Sequence, residues 1–191
     1  MTLQAELYQG LICPACGAPR CLNRHGTYAR YVLILEAGQP AWQHISIVRV
    51  ICKSCGSTHA LLPAEIVAFC QYSLPFLFFI FSQVFIEEQR VPSIAQRCAL
   101  PVWSAYLLIR RYEQCLARIS LVLFEQGCQP ADQEQFTGRE CLLQISRQGL
   151  NRFIHRYWQQ TRRYLWQSRY HNRASPPLCL GWYELGIVSS T

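Results

Sequence analysis

Two pentapeptides carry the residues best suited to chemistry: Cys13-Pro14-Ala15-Cys16-Gly17 and Cys52-Lys53-Ser54-Cys55-Gly56, with 35 residues between Cys16 and Cys52. In a Cys-x-x-Cys turn both thiolates end on one side of the backbone, and the glycine that follows supplies the left-handed residue such a turn needs. Two of these knuckles bring four sulfur donors to one point, which is the donor set of a tetrahedral zinc ion. A catalytic zinc keeps an open coordination position, whereas four cysteines close the shell. Cys13, Cys16, Cys52 and Cys55 are therefore expected to hold a structural Zn2+. Buried or disulfide-bonded cysteines are the alternative, and repetition of the whole pentapeptide weighs against it. Cys21 and His59 each follow a knuckle and stand as reserve ligands.

Other chemistry is hard to find. Two-metal cleavage of polynucleotides needs several converging carboxylates. The chain has one aspartate, Asp132, and ten glutamates in no evident cluster. It has no phosphate loop, no His-Glu-x-x-His and no serine-nucleophile motif, so binding rather than catalysis is expected. The formal net charge is +7, from 17 arginines and the single lysine Lys53 against 11 acidic residues. Arginine forks match phosphates and guanine edges. Residues 1–130 carry 10 basic and 7 acidic groups, net +3; residues 131–191 carry 8 and 4, net +4, with no acidic residue between Glu140 and Glu184. Eleven cysteines and a first stretch without a basic, then apolar, leader pattern imply a reducing, cytoplasmic compartment.

Stepping outward from the knuckles, β-branched and aromatic residues from Thr27 to Leu35 and from Ile45 to Ile51 flank a turn at Ala37-Gly38-Gln39-Pro40. This is a β-hairpin with its base clamped by the metal. Arg24, Arg30, Arg49 and Lys53 along it form a candidate phosphate-facing strip. Residues 66–86 are apolar enough to raise a membrane span, but Gln71, Ser73, Pro75, Ser82 and Gln83 interrupt them; a buried helix capped by Ser73, with Pro75 in its first turn, fits better. Then Ser93, as a cap, opens a short helix, Pro101 stops it, and a second helix follows with Ala105, Leu108, Tyr112, Cys115 and Ile119 at helical spacing. This is a helix-turn-helix pattern in which Ala99 takes the place of the usual turn glycine. Ile94, Cys98, Leu100, Ala105 and Leu108 form its shared core, and Trp103, Ser104, Leu107, Arg110, Arg111, Gln114 and Arg118 are left outside. After a polar loop, a helix from Leu150 places Phe153, Ile154 and Tyr157 on one face and Arg152, Arg156 and Arg163 on the other, a phosphate-binding arrangement.

The run Arg24-His25-Gly26-x-Tyr28-x-Arg30, with Ile47-x-Arg49-Val50-x-Cys52-x-x-Cys55-Gly56-x-Thr58-His59-Ala60-Leu61-Leu62-Pro63, resembles the N-terminal zinc-ribbon domain of short bacterial proteins associated with insertion sequences. It is similar to the zinc ribbon plus helix-turn-helix that precedes the catalytic core of several insertion-sequence transposases, over roughly residues 10–120. The resemblance implies the same four zinc ligands and a DNA-reading helix from Trp103 to Arg111, while the transposase catalytic domain has no counterpart here. The expected fold is α+β, an N-terminal zinc-ribbon β-hairpin followed by an all-α domain containing the helix-turn-helix. Its parts are a ribbon over 1–63, a helical domain over 64–126, a loop over 127–138, a basic amphipathic helical region over 139–174 and a tail over 175–191. The expected partner is double-stranded DNA, with association to the nucleoid, and a transposase or other protein as a second partner. The alternatives are an adaptor that docks an acidic protein and a small membrane-associated protein anchored by residues 66–86.

Overall fold

The computed structural model describes residues 10–63, 65–68, 70–131, 135–161, 165–166 and 178–179. The fold is α+β, and the chain divides into two compact units. One comprises Met1–Val32, Trp42–Gln71 and Ser168–Thr191; the other comprises Leu33–Ala41 and Tyr72–Gln167.

β1 (Leu22–Glu36) and β2 (Gln39–Cys52) form a hairpin whose base belongs to the first unit and whose tip, Leu33–Ala41, belongs to the second. Their two-residue loop, Ala37 at φ 46° and Gly38 at φ 79°, has the twist that suits right-handed strands. Pro40, which the sequence suggests for the turn, lies inside β2, because two left-handed residues already reverse the chain. A third strand, β3 (Thr58–Leu62), was not expected. It pairs antiparallel with β2 in the register Val50↔His59 and Ile51↔Thr58. The second knuckle is itself a reversal, so the residues after it run back along β2. The order is β1-β2-β3-β4, the last being the two residues Leu178–Cys179, parallel to β3. The rest of the expected tail lies outside the described residues. A small core gathers beneath the knuckles: Leu11, Cys13, Cys21, Leu22, Val50, Cys52 and Leu61.

The second unit holds α1 (Leu74–Phe85), α2 (Val91–Arg97), α3 (Val102–Glu125), α4 (Gly138–Gln148) and α5 (Leu150–Thr161). Ser73 Oγ accepts from the Phe76 amide at 3.3 Å, and Pro75 sits in the first turn of α1, as the sequence suggests. At 12 residues α1 occupies only part of the apolar 66–86 stretch, and no described helix is long and apolar enough to cross a membrane.

Helix α2 begins earlier than expected. Its cap is Arg90, with no side-chain hydrogen bond, because Pro92 already fits the first turn and leaves Ser93 inside the helix. Its end is a tight left-handed closure: the Ala99 amide donates to Gln96 O at 3.2 Å and the Leu100 amide to Ala95 O at 2.8 Å, with Ala99 at φ 49°. Helices α1, α2 and α3 all contact one another, and Ile94, Ala95 and Ala105 are fully buried among them.

Tyr112 on α3 is the hub of this unit. Fully buried, it stacks on Phe81 at 4.6 Å between ring centroids, meets Phe85 at 5.1 Å, and donates its hydroxyl to Gly138 O at 2.7 Å. Burial, then the neighbouring Cys141 and Cys115, pushes its phenol up. A Cβ at Gly138 would come within 3.1 Å of the Phe85 ring, so a side chain there would require that ring to shift by a few tenths of an ångström. Within the expected loop-then-helix region, Thr137 and Glu140 form a reciprocal cap that starts α4, and Gly149 at φ 85° separates α4 from α5.

Candidate metal centre

Each knuckle is built the same way. The amide of the first cysteine donates to the carbonyl five residues on, Cys13 to Ala18 at 3.0 Å and Cys52 to Ser57 at 2.9 Å. The glycine amide donates back to the first cysteine's carbonyl, Gly17 to Cys13 at 2.8 Å and Gly56 to Cys52 at 2.9 Å. Gly17 and Gly56 take φ 73° and 72°, where a Cβ would strain the backbone. The Lys53 amide also donates to Cys21 O at 2.8 Å, tying the second knuckle to the chain that leads from the first.

These turns bring Cys13, Cys16, Cys52 and Cys55 together, with all four Sγ atoms within 4.8 Å of one another. Cys13 and Cys55 are 3.8 Å apart at sulfur, and Cys16 and Cys52 are 3.7 Å apart. A tetrahedron of sulfurs about 2.3 Å from a central zinc has edges of about 3.8 Å, so the donor set and its spacing fit a four-coordinate ion. Cys13 and Cys52 are buried beneath the site, while Cys16 and Cys55 face outward.

The electrostatics agree with a cation-seeking cluster. Burial alone would raise Cys52, but hydrogen bonding with Cys21 and the Cys55 and Ser54 amides outweighs it and lowers the thiol to about 6. Cys55 is lowered by hydrogen bonds from Ser57. Cys16, despite a favourable hydrogen bond at the Ala18 backbone, is pushed up to about 12 by desolvation and by the thiols of Cys55, Cys13 and Cys52. Four adjacent thiolates repel one another unless a cation neutralises them.

The two reserve residues lie beside the cluster rather than in it. Cys21 Sγ is 3.2 Å from Cys52 Sγ and 3.0 Å from Ala18 O, and burial, with Cys52 beside it, pushes its thiol up to about 11. It therefore stays protonated and donates to the Ala18 carbonyl. His59 Nε2 lies 3.4 Å from Cys13 Sγ, and burial holds this imidazole below its ordinary pKa and hence neutral. Its Nδ1 is buried without a hydrogen-bond partner among the described residues. In the tautomer with its proton on Nε2, the ring would donate to Cys13 sulfur, the supporting contact metal ligands commonly need.

Residues 13–97 match a family model described as a domain of unknown function, DUF6431. No curated protein and no solved structure matches the chain. The matched span opens on the first cysteine of the cluster and closes on the last residue of α2, so it takes in both knuckles, the hairpin and the first two helices.

The expected nucleic-acid residues fare unevenly. Arg24 and Lys53 are exposed on the ribbon. Arg30 is not free to meet phosphate with its whole fork, because it donates to Val67 O at 3.0 Å and also to Cys70 O. Arg49 donates to Thr58 Oγ1 across the β2–β3 pair at 2.9 Å. On α3, Trp103 and Arg110 are exposed and Arg111 is half-buried, but Ser104 is only 9% exposed. Ser104 precedes the core residue Ala105 and lies four residues before Leu108, so it turns inward, and a base-reading role for it is withdrawn. Arg152 and Arg156 are exposed on α5, and Arg163 lies outside the described residues. Tyr31, Trp42 and Tyr106, all exposed rings, are not among the residues expected from the sequence. Two of them were legible, since Trp42 and Tyr31 sit in strands at positions where alternation points away from Ile47 and Val32.

Proposed function

We propose that this is a zinc-stabilised DNA-binding protein, a binding protein rather than an enzyme, related to the zinc-ribbon and helix-turn-helix region of insertion-sequence transposases. Zinc is the ion that suits a closed shell of four thiolates, being soft enough for sulfur and indifferent to any geometry but the tetrahedron the knuckles offer. The observation that carries the DNA reading is the α2–α3 pair. Seven residues of α2, a left-handed turn at Ala99 and the start of α3 share a buried core of Ile94, Ala95, Cys98, Leu100, Ala105 and Leu108, with α1 packed on both. A recognition helix must be held from behind in this way so that its outer face can enter a major groove. That outer face is Trp103, Tyr106, Leu107 and Arg110. Arg152 and Arg156 on α5 would meet phosphates, since arginines repeated along a helix offer charge without base-edge geometry.

Titration of the zinc-loaded chain with labelled duplex DNA at several salt concentrations tests this. Affinity should fall steeply with salt, by about one unit of log–log slope per phosphate contact. Arg152→Gln and Arg156→Gln should weaken all sequences alike, whereas Trp103→Ala and Arg110→Ala should change which sequence is preferred. No salt-dependent affinity for any duplex sinks the reading. In that case the apolar row of Trp103, Tyr106 and Leu107, with Arg110 and Arg111 beside it, favours an adaptor that docks an acidic protein.

A further inference from the structure

The ribbon exposes aromatic rings that its own fold does not use. Tyr31 is 66% exposed and Trp42 is 52% exposed. The two-residue loop at Ala37 and Gly38 sets Tyr31 opposite His44, and their ring centroids lie 4.8 Å apart. Trp42 is two residues from His44 and so shares its face of the sheet. Ala29 and Ser46, small and exposed, are the next residues along this face in one direction, and the buried Leu33 is next in the other. Tyr31 also borders a cleft of about 540 Å³ lined by Tyr28, Arg30, Ala60, Leu62 and Ala68. That volume lies in the range of small-ligand sites and accommodates a nucleotide. Arg30 is fixed in the cleft wall by the Val67 and Cys70 carbonyls, so its charge is already in place before anything binds.

Charge selects the occupant. Residues 10–32 and 42–63 contain Arg20, Arg24, Arg30, Arg49 and Lys53 and no aspartate or glutamate. Glu36 ends β1 and Glu65 follows β3, both exposed, so the cations outnumber carboxylates here; a neutral sugar would stack on such rings but gives no reason for that excess. A duplex hides the faces of its bases. A single strand presents both a polyanionic backbone and stackable faces, and ring stacking beside basic side chains is how such strands are held without sequence readout.

We infer that the ribbon carries a site for unpaired nucleotides of a single-stranded nucleic acid, whose bases stack on the exposed rings of Tyr31 and of Trp42 beside His44. The site lies in a different unit from the helices proposed to read duplex DNA, and the two stand or fall separately. The chemistry is shared by DNA and RNA strands.

The test uses the full zinc-loaded chain, fluorescein-labelled dT12 and rU12, and a blunt duplex of equal length, all followed by anisotropy at several salt concentrations. Tyr31→Ala and Trp42→Ala remove exposed rings, and zinc content and thermal melting verify that each variant keeps its fold. Each should weaken single-strand binding by about tenfold. The salt slope should stay unchanged because no charge is lost, and duplex affinity should stay within twofold. Arg24→Gln should lower the slope instead. Tighter binding of dT12 or of rU12 assigns the strand type, and either supports the site. Parent protein that does not bind either strand, or ring variants that bind both like the parent, overturns it. Duplex binding lost on Trp103→Ala with dT12 binding intact would leave this site standing, and the converse would leave the duplex reading standing alone.

Discussion

The two units solve the problem of a stable interior in different ways. Under the knuckles the buried cluster has seven members, and three of them, Cys13, Cys21 and Cys52, are cysteines. The helical unit instead stacks large rings: Phe81 and Tyr112 at 4.6 Å, Phe81 and Trp166 at 5.3 Å, Phe153 and Tyr157 at 6.0 Å. Burial stabilises roughly in proportion to apolar area, at about 25 cal/mol per Å², so a cluster rich in thiols and poor in rings holds the knuckle end of the sheet only weakly by itself. A metal held by the four thiolates would make up the difference there, whereas rings and aliphatic side chains fill the helical interior. The fold of the first unit would then depend on the ion, and that of the second would not.

The largest expected effect breaks the comparison directly. Zinc binding to a small four-thiolate module contributes about 10 kcal/mol or more of folding free energy, so chelation or Cys52→Ser should unfold the ribbon while helicity persists. Amide exchange reads this out: the β2–β3 amides should lose protection, and those of α1 and α3 should keep it. Equal protection in both units after chelation would mean the ribbon core is sufficient without metal. The reciprocal change is Phe81→Ala. Removing a fully packed ring should cost about 3–5 kcal/mol in the helical transition, with bound zinc unchanged. If zinc content falls with it, the two interiors are not independent.

The sequence made this asymmetry partly visible. Paired Cys-x-x-Cys-Gly repeats and β-rich runs beside Ala37-Gly38 are local signals, and they sufficed for the cluster and the hairpin. The helical spacing of Ala105, Leu108, Tyr112, Cys115 and Ile119 likewise gave the buried face of α3, where all five are buried. What escaped was set by tertiary geometry. β3 follows from the reversal the second knuckle imposes, not from the propensity of Thr58-His59-Ala60. The inward turn of Ser104 depends on α1 and α2 closing around α3 from one side. Arg30 looks like a surface charge until the chain at Val67 and Cys70 passes within its reach. The helical region expected from 139 begins as α4 at Gly138, and its cap, Thr137-x-x-Glu140, was legible as a capping sequence preceding a helical face but was not named.

That cap gives a smaller effect. Thr137 Oγ1 accepts from the Glu140 amide at 3.2 Å, and Glu140 Oε2 accepts from the Thr137 amide at 2.8 Å. Thr137→Ala should lower the stability of the helical unit by about 1 kcal/mol. The Thr137 and Ala131 amides, then the Thr137 hydroxyl, hold the Glu140 carboxyl below its ordinary pKa. A depressed folded-state pKa stabilises above the unfolded value and loses that contribution as pH falls through the carboxylate range. The gap between parent and Glu140→Gln in thermal melts should therefore be present at pH 7 and close at low pH. A gap that persists in acid would assign the effect to packing instead of ionisation.

The smallest expected effect tests the turn on which the duplex reading depends. Ala99 occupies a left-handed conformation, φ 49°, at the residue that closes α2. A residue with a Cβ is disfavoured there by roughly 1–2 kcal/mol. Glycine removes that strain but adds freedom to the unfolded chain, which costs about 0.4–1 kcal/mol. The difference favours Ala99→Gly by about 0.5–1 kcal/mol, seen as a higher melting temperature of the helical transition. Ala99 is exposed, so the substitution leaves no cavity to confuse the sign. Because Leu100 must still reach the shared core and its amide must still bond Ala95 O, duplex affinity should not change. A neutral or destabilising result would mean that the backbone at residue 99 is relaxed in solution. The tight closure between α2 and α3, and with it the rigid mounting of Trp103 and Arg110, would then have to be given up.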